Sequence, residues 1–194
     1  MVLRGQKTAL RPLDESDLDM LYRWYNDPEV NYWANAAWPL ATMLSREEIG
    51  EHFLDPALHG QTLHRQQHRY VILNQEGKPI GYLGFREINP PARSAELFIT
   101  IGEKTHWGQG YGPDALLILI RFLFRQWNFH RLALDTWDGN TRAIRAYQKV
   151  GFKLEGRLRE ARYVLGQYHD ALLFSILQPE FLSQDHGYAP EFLD

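Results

Sequence analysis

A glycine-rich segment near the middle of the chain has the composition of an anion-binding loop. Residues 106–113 read HWGQGYGP. Glycine lets the backbone come close to a ligand and adopt positive φ, and proline suits the first position of a helix. Free N–H groups and the positive end of a helix dipole then point at one place, which favours a phosphate. The alternative is a glycine turn with a purely structural role.

The segments on either side predict a strand and a helix that hold this loop. Residues 95–101 alternate apolar and other side chains, which is the period of a strand. Residues 114–127 are apolar on nearly every side over about four turns, which indicates a buried helix with Pro113 at its first position. The loop lacks the Gly-Lys-Ser/Thr of a Walker A motif, and its GxGxG spacing differs from GxGxxG. Both differences count against an enzyme that binds ATP or NAD here.

A second segment, Asn140 to Val150, predicts an amphipathic helix with polar groups on its buried stripe. Asn140, Ala143 and Tyr147 share one face of that helix and can line one channel. A glycine follows at the position of a left-handed C-cap, so Phe152 can fold back on Tyr147. A tyrosine that only packs in the core is the simpler interpretation of that position taken alone.

The remaining pattern predicts one α/β domain over residues 1–178, because no repeat or linker interrupts it. The tail, residues 179–194, contains prolines and is expected to be loosely ordered. Residues 32–39 are aromatic without a period and are expected to form a loop, and an arginine-rich connection is expected between the last two strands. Strands are expected at 8–12, 70–73, 79–88, 95–101, 131–135, 152–158 and 167–177, and further helices at about 14–26 and 45–54, the latter with a Ser45–Glu48 capping box.

Composition excludes several classes of function. The 194 residues carry a formal charge of −3, which argues against a protein that grips nucleic acid. No cysteine is present, so disulfides, thiolate metal sites and a cysteine nucleophile are excluded. No apolar run reaches the roughly 18 residues of a membrane span and no signal peptide opens the chain, so a cytoplasmic protein is expected. His59, His64 and His68 lack acidic partners in register, so we expect surface histidines and no metal.

Three stretches together resemble the GNAT N-acetyltransferases, namely residues 95–116, 140–160 and 166–177. The opening stretch, LRPLDESDLDMLYRWYNDPEV, is similar to the branch with ribosomal-protein N-terminal and spermidine acetyltransferases. The resemblance implies a GNAT fold, with one mixed, mostly antiparallel central sheet of about seven strands flanked by helices. It also implies that acetyl-CoA binds at the glycine loop and that its acetyl group passes to an amine.

The resemblance assigns roles to the two motifs. Backbone N–H groups of the loop would hold the pyrophosphate, and the preceding strand would pair with the pantetheine arm and offer an N–H to the thioester oxygen. Tyr147 would protonate the departing thiolate, which requires that both groups be held close and dry. The expected acetyl-CoA contacts are Ile99, Thr100, Ile101, Trp107, Gly108, Gln109, Gly110, Tyr111, Gly112, Asn140, Ala143 and Tyr147. Trp107 stands where the family often has Gln or Arg.

The amine must lose a proton before it attacks, and Glu96 is the candidate base, directly or through a water. It shares a strand face with Phe98 and Thr100. The alternative is an ion pair between Glu96 and Arg86 or Arg93.

The acceptor cleft is expected to include Tyr32, Trp33 and Trp38. Their aromatic faces, with Asp27 and Glu29 nearby, suit a cationic amine. The alternative is that these rings only cover the core beneath a loop.

The leading interpretation is therefore an acetyl-CoA-dependent N-acetyltransferase in which a primary amine attacks directly within a ternary complex. The acceptor would be a protein N-terminus, a polyamine or another small amine. A non-catalytic acyl-CoA-binding regulatory module on the same fold is the alternative. A monomer or homodimer is expected, with no nucleic acid or membrane partner.

Overall fold

The computed structural model describes residues 2–35, 44–54 and 67–183, which form a mixed sheet of eight strands with helices on both faces. The strands are β1 (Leu3–Arg4), β2 (Ala9–Pro12), β3 (His68–Leu73), β4 (Pro79–Asn89), β5 (Ser94–Ile101), β6 (Arg131–Trp137), β7 (Lys153–Val164) and β8 (Gln167–Leu177). The helices are α1 (Leu18–Tyr25), α2 (Pro28–Asn35), α3 (Arg46–Leu54), α4 (Tyr111–Arg125), α5 (Thr141–Val150) and α6 (Gln178–Leu182).

The strand order is β1-β2-β3-β4-β5-β6-β8-β7, and β5–β6 is the one parallel pair among the described strands. The mostly antiparallel sheet expected from the resemblance is therefore confirmed. The strand count differs by one, because the two-residue β1 pairs with β2 through Leu3 and Arg4. A strand that short leaves no periodic pattern in the sequence.

Two hydrophobic clusters fix the layers of the molecule. One lies between the sheet and α4 with α5, and Leu83, Leu97 and Phe174 belong to it. The other joins α1 and α3 to the opposite face through Trp24, Phe53 and Tyr82. Buried side chains on nearly all sides of α4 explain why its sequence is apolar throughout.

The structure corrects several expected boundaries. Residues 32–35 belong to α2 rather than to a loop, because Asp27 caps that helix by accepting from the N–H groups of Glu29 and Val30. Pro28 therefore starts a helix as well as ending the preceding one. Helix α4 begins at Tyr111, two residues before Pro113, since the whole first turn tolerates a missing N–H.

The arginine-rich connection after residue 158 is also part of a strand. β7 runs to Val164, and its pairing with β8 shifts register between Leu158 and Arg162, where Glu160 has φ of 52°. A bulge of this kind breaks the alternation by which a strand is recognised in sequence.

The C-terminal tail, which the sequence predicts to be loosely ordered, begins with a helix. Helix α6 lies at 178–182 and buries Phe181, while the residues from 184 onward lie outside the described ranges. The division of the chain at residue 178 stays a prediction. Among the described helices, none is long and apolar enough to cross a membrane.

Candidate acetyl-CoA and acceptor site

The centre of the sheet opens where its two parallel strands separate. β5 and β6 pair only at Ser94–Arg131, Ala95–Leu132 and Glu96–Ala133. Beyond these pairs the strands diverge, and residues 99–101 of β5 line a cavity of about 950 Å³. A volume of this size matches small-molecule sites. A gap between two strands offers unpaired backbone groups to an extended ligand.

The cavity brings together most of the residues expected from sequence. Gln109, Glu96 and Tyr32 are not among its lining residues, and Trp38 lies outside the described ranges, as do His59 and His64. The expected residues that do line it are Trp33, Ile99, Thr100, Ile101, Trp107, Gly108, Gly110, Tyr111, Gly112, Asn140, Ala143 and Tyr147.

The glycine loop has open backbone at the mouth of this cavity. Gly108 and Gly110 adopt φ of 74° and 87°, and Gly110 is the N-cap of α4. A Cβ added to Gly108 would meet no atom within 4 Å. The N–H groups of both glycines have no hydrogen-bond partner among the described residues. Free donors, open space and a helix N-terminus fit the pyrophosphate of acetyl-CoA.

Side chains around the loop fix its shape. The Trp107 Nε1 donates to the carbonyl of Ile101 at 2.7 Å, which ties the loop to the end of β5. The Lys7 Nζ donates to the carbonyl of Gln109 at 2.9 Å. Asp114 in turn accepts from the backbone N–H groups of residues 6, 7 and 8, which fixes the turn that carries Lys7. Sequence reasoning missed Lys7, because more than a hundred residues separate it from the loop.

Tyr147 lies in the cavity wall with its ring packed on Phe152 and Phe174, at centroid distances of 6.2 and 5.8 Å. Its hydroxyl has no hydrogen-bond partner in the described part of the chain. Burial raises the pKa of Tyr147 well above its usual value, and the charge of Asp135 raises it further. The phenol is therefore protonated at neutral pH and available as a donor.

Asn140 is the N-cap of α5, about two helical turns before Tyr147. Its Oδ1 accepts from the N–H of Ala143 at 3.2 Å, so the side chain caps the helix. Its Nδ2 donates to the carbonyl of Trp33 at 2.9 Å, which attaches the end of α2 to α5. Asn140 still has one amide hydrogen and further acceptor capacity for a ligand.

Two carboxylates flank the gap, and each is paired with an arginine. Glu96 accepts from the Arg86 Nε at 2.9 Å, which is the pairing that the sequence left as an alternative. Asp135 accepts from the Arg162 Nη2 at 2.5 Å. Asp135, rather than Glu96, lines the cavity. Sequence reasoning missed Asp135, although an acid at the end of a strand beside the expected channel was a signal for it.

An aromatic wall closes the other side of the cavity. Trp33 stacks on Trp137 with ring centroids 5.9 Å apart, and Tyr32 meets Trp137 edge-on at 5.4 Å. The two acids near this wall are not free, because the Lys104 Nζ lies 2.8 Å from Asp27 and 3.1 Å from Glu29. Arg142 and Trp137 belong to the wall but were not predicted from sequence.

Comparison with known proteins gives the family. Residues 7–153 match the model of the acetyltransferase (GNAT) domain. The chain belongs to the GNAT acetyltransferase family. The expected family, fold and acetyl-CoA co-substrate are thereby confirmed. No group of three potential metal-binding side chains occurs among the residues that the structure describes.

Individual GNAT proteins are similar over nearly the whole chain. The spermidine N(1)-acetyltransferase of Escherichia coli K12 is 29% identical over 182 residues, which cover 93% of this chain and 91% of that protein. The uncharacterized N-acetyltransferase p20 of Bacillus licheniformis is 28% identical over 180 residues, covering 92% and 97%. The crystal structure of Vibrio cholerae spermidine N-acetyltransferase with CoA and spermine superposes with a TM-score of 0.78 at 26% identity, covering 90% of this chain and 98% of that one.

Proposed function

We propose that this GNAT protein transfers an acetyl group from acetyl-CoA to a primary amine by direct attack within a ternary complex. The observation that carries the proposal is that one cavity contains the glycine loop, the gap between β5 and β6, Tyr147 and the aromatic wall. Both substrates can therefore meet in one cavity. The names of the similar spermidine acetyltransferases support a small amine as acceptor.

The chain's own groups fit acetyl-CoA, which supplies the acetyl group as a thioester. Backbone N–H groups at Gly108 and Gly110 hold the pyrophosphate, and Arg145 and Lys149 of α5 line the same cavity with positive charge. The pantetheine arm follows residues 99–101 along the gap. A β5 N–H that faces the gap donates to the thioester oxygen, where negative charge develops during attack.

Tyr147 acts as the acid that protonates the leaving sulfur. Its raised pKa makes the phenol a weaker acid, but the same dry surroundings raise the pKa of the thiol, so the proton transfer stays feasible. The unpartnered hydroxyl is free to donate to the sulfur. A tyrosine with a purely structural role would not need its hydroxyl in the cavity wall.

We propose Asp135 as the base that receives the amine proton, directly or through a water, because it lines the cavity. Glu96 stays the alternative base. Each carboxylate is held in place by its arginine, which fixes where a proton can be received.

Release of CoA thiol from acetyl-CoA against a panel of polyamines, N-terminal peptides and amino acids tests the function. Acceptor-dependent release above hydrolysis is the expected result. Tight acetyl-CoA binding without release for any amine would favour the non-catalytic acyl-CoA-binding module. Absence of acetyl-CoA binding in calorimetry would refute the assignment of the loop. Sedimentation equilibrium distinguishes the expected monomer from the homodimer.

A further inference from the structure

Arg142 carries a positive charge with no anionic partner in the cavity wall. Its guanidinium lies 3.9 Å from the ring centroid of Trp107 and 5.1 Å from that of Trp33, so it is held between the glycine loop and α2. Among the described residues, no carboxylate lies within ion-pair distance and no group accepts a hydrogen bond from it. Burial lowers the pKa of Arg142, and the charge of Glu29 opposes this from longer range. A planar fork of five N–H donors is thus fixed in place and unused.

A second donor in the same wall also lacks a partner. The indole Nε1 of Trp137 is buried and donates to no atom of the described structure. Trp137 is 3% exposed and lines the cavity beside Trp33. An indole N–H can only donate, so its partner must be an oxygen or another acceptor. Arg142 and Trp137 therefore both lack hydrogen-bond acceptors among the described residues, and for the buried indole N–H the unmade hydrogen bond is costly.

The features that suit a polycation are already occupied by the protein's own cations. Arg142 covers the face of Trp33 where an ammonium group would bind. Lys104 pairs with Asp27 and Glu29 at the start of α2, and Arg86 pairs with Glu96. Asp135, paired with Arg162, is the one carboxylate among the described lining residues. This wall attracts an anion more strongly than it attracts a second ammonium group.

We propose that the acceptor is an amine that also carries a carboxylate, as in an amino acid, and that Arg142 binds this carboxylate. The inference rests on the proposed function and narrows its acceptor class. Guanidinium and carboxylate form a matched pair of charge-assisted hydrogen bonds. The other source of an oxyanion is the CoA phosphates, for which the loop N–H groups, Arg145 and Lys149 are already present at the cavity. Arg142 lies between Trp107 of the loop and Trp33 of α2, so it also reaches the wall proposed for the acceptor.

Matched amines with and without the carboxylate test the proposal. The pairs are phenylalanine with phenethylamine and ornithine with putrescine, with spermidine as a further polycation. We expect a higher kcat/KM for the carboxylate-bearing member of each pair at saturating acetyl-CoA. In each pair we compare kcat/KM for the carboxylate-bearing amine with kcat/KM for the amine that lacks the carboxylate. Arg142→Gln should lower this ratio about 10- to 100-fold, which is the loss expected for a charge-assisted hydrogen bond.

Two variants control for charge and for folding. Arg142→Lys keeps the charge but loses the planar fork, so we expect it to restore part of the ratio. Arg46→Gln removes an arginine whose partner is an exposed acid, Asp19, on the surface, and should leave the ratio unchanged. Thermal denaturation of all three variants verifies that they fold.

Acetyl-CoA binding, measured by calorimetry, separates the two sources of anion. We expect Arg142→Gln to bind acetyl-CoA within about twofold of the unsubstituted protein. Weaker acetyl-CoA binding with an unchanged ratio would assign Arg142 to a CoA phosphate and overturn the proposal, as would a preference for putrescine or spermidine. If acetyl-CoA binds but no amine reacts, we measure binding of phenylalanine and ornithine to the complex with CoA. If neither binds, the proposal is overturned. Absence of acetyl-CoA binding would instead refute the proposed function itself.

Discussion

Tyr147→Phe is the substitution that most directly tests the chemistry of the cavity. It removes one hydroxyl and keeps the ring contacts with Phe152 and Phe174. Because the hydroxyl has no partner among the described residues, its loss should change the free energy of unfolding by less than about 1 kcal/mol. Loss of a general acid lowers the rate about 10²- to 10⁴-fold, or about 3–5 kcal/mol in the activation barrier. We therefore expect a catalytic defect in a normally folded protein.

The assay is CoA thiol release at saturating acetyl-CoA and acceptor, together with acetyl-CoA binding by calorimetry. Tyr70→Phe is the matched control, since burial also raises the pKa of Tyr70 but that residue does not line the cavity. We expect the control to retain its rate, and both variants to bind acetyl-CoA normally. A Tyr147→Phe rate within about threefold of the unsubstituted protein would refute the acid role.

The pH profile gives a second measurement on the same residue. Burial raises the pKa of Tyr147, so the protonated phenol persists above its ordinary value of about 10. An acid works only while protonated, so kcat should show no loss from Tyr147 between pH 7 and about pH 10. A fall in kcat with an apparent pKa near 8, absent from Tyr147→Phe, would contradict this assignment.

Three further predictions concern the glycine loop, the base and an exposed ion pair. Gly110→Ala should raise the KM for acetyl-CoA about tenfold. Gly166 has nearly the same φ but lies in a hairpin that does not line the cavity, so Gly166→Ala should cost about 1 kcal/mol in stability and leave this KM unchanged. Equal KM values for the two variants would contradict the loop assignment. Asp135→Asn should lower kcat at least tenfold more than Glu96→Gln, measured by thiol release, and the reverse order would make Glu96 the base. A hydrogen bond from an arginine lowers the pKa of Glu155 to about 2. The ion pair of Glu155 therefore stabilises the folded state above about pH 4.5, and this stabilisation is lost as the pH falls toward 2. Glu155→Gln should lower the free energy of unfolding by up to about 1 kcal/mol at pH 7 and leave it unchanged near pH 2, as measured by urea unfolding.

Features set by nearby residues were predictable from sequence. The Ser45–Glu48 capping box forms with both reciprocal hydrogen bonds. The packing of Phe152 on Tyr147 follows from the glycine that ends α5 in the left-handed conformation. Each of these depends on a spacing of five residues or fewer, so the sequence contains the whole cause.

Features set by distant contacts were not predictable. The aromatic residues of α2 show no helical period because Tyr32 and Trp33 pack against Trp137 of β6 rather than against a single core face. In the sequence, Arg142 is one of several charged residues on an amphipathic helix. Only the fold brings Trp33 and Trp107 to either side of it. The partners of Asp135 and Lys7 lie 27 and 102 residues away along the chain.

The two halves of the site depend on the chain in different ways. The proposed acetyl-CoA half depends on backbone N–H groups of the loop and on the gap between two strands, which follow from the fold and from a few glycines. A structural neighbour at a TM-score of 0.78 therefore supports that half directly. The proposed acceptor half depends on side chains, above all Arg142 and Trp137, whose identity the fold does not determine. Similarity to known proteins therefore supports the identity of the co-substrate better than it supports the identity of the acceptor. The charges of the cavity wall are the better guide to the acceptor.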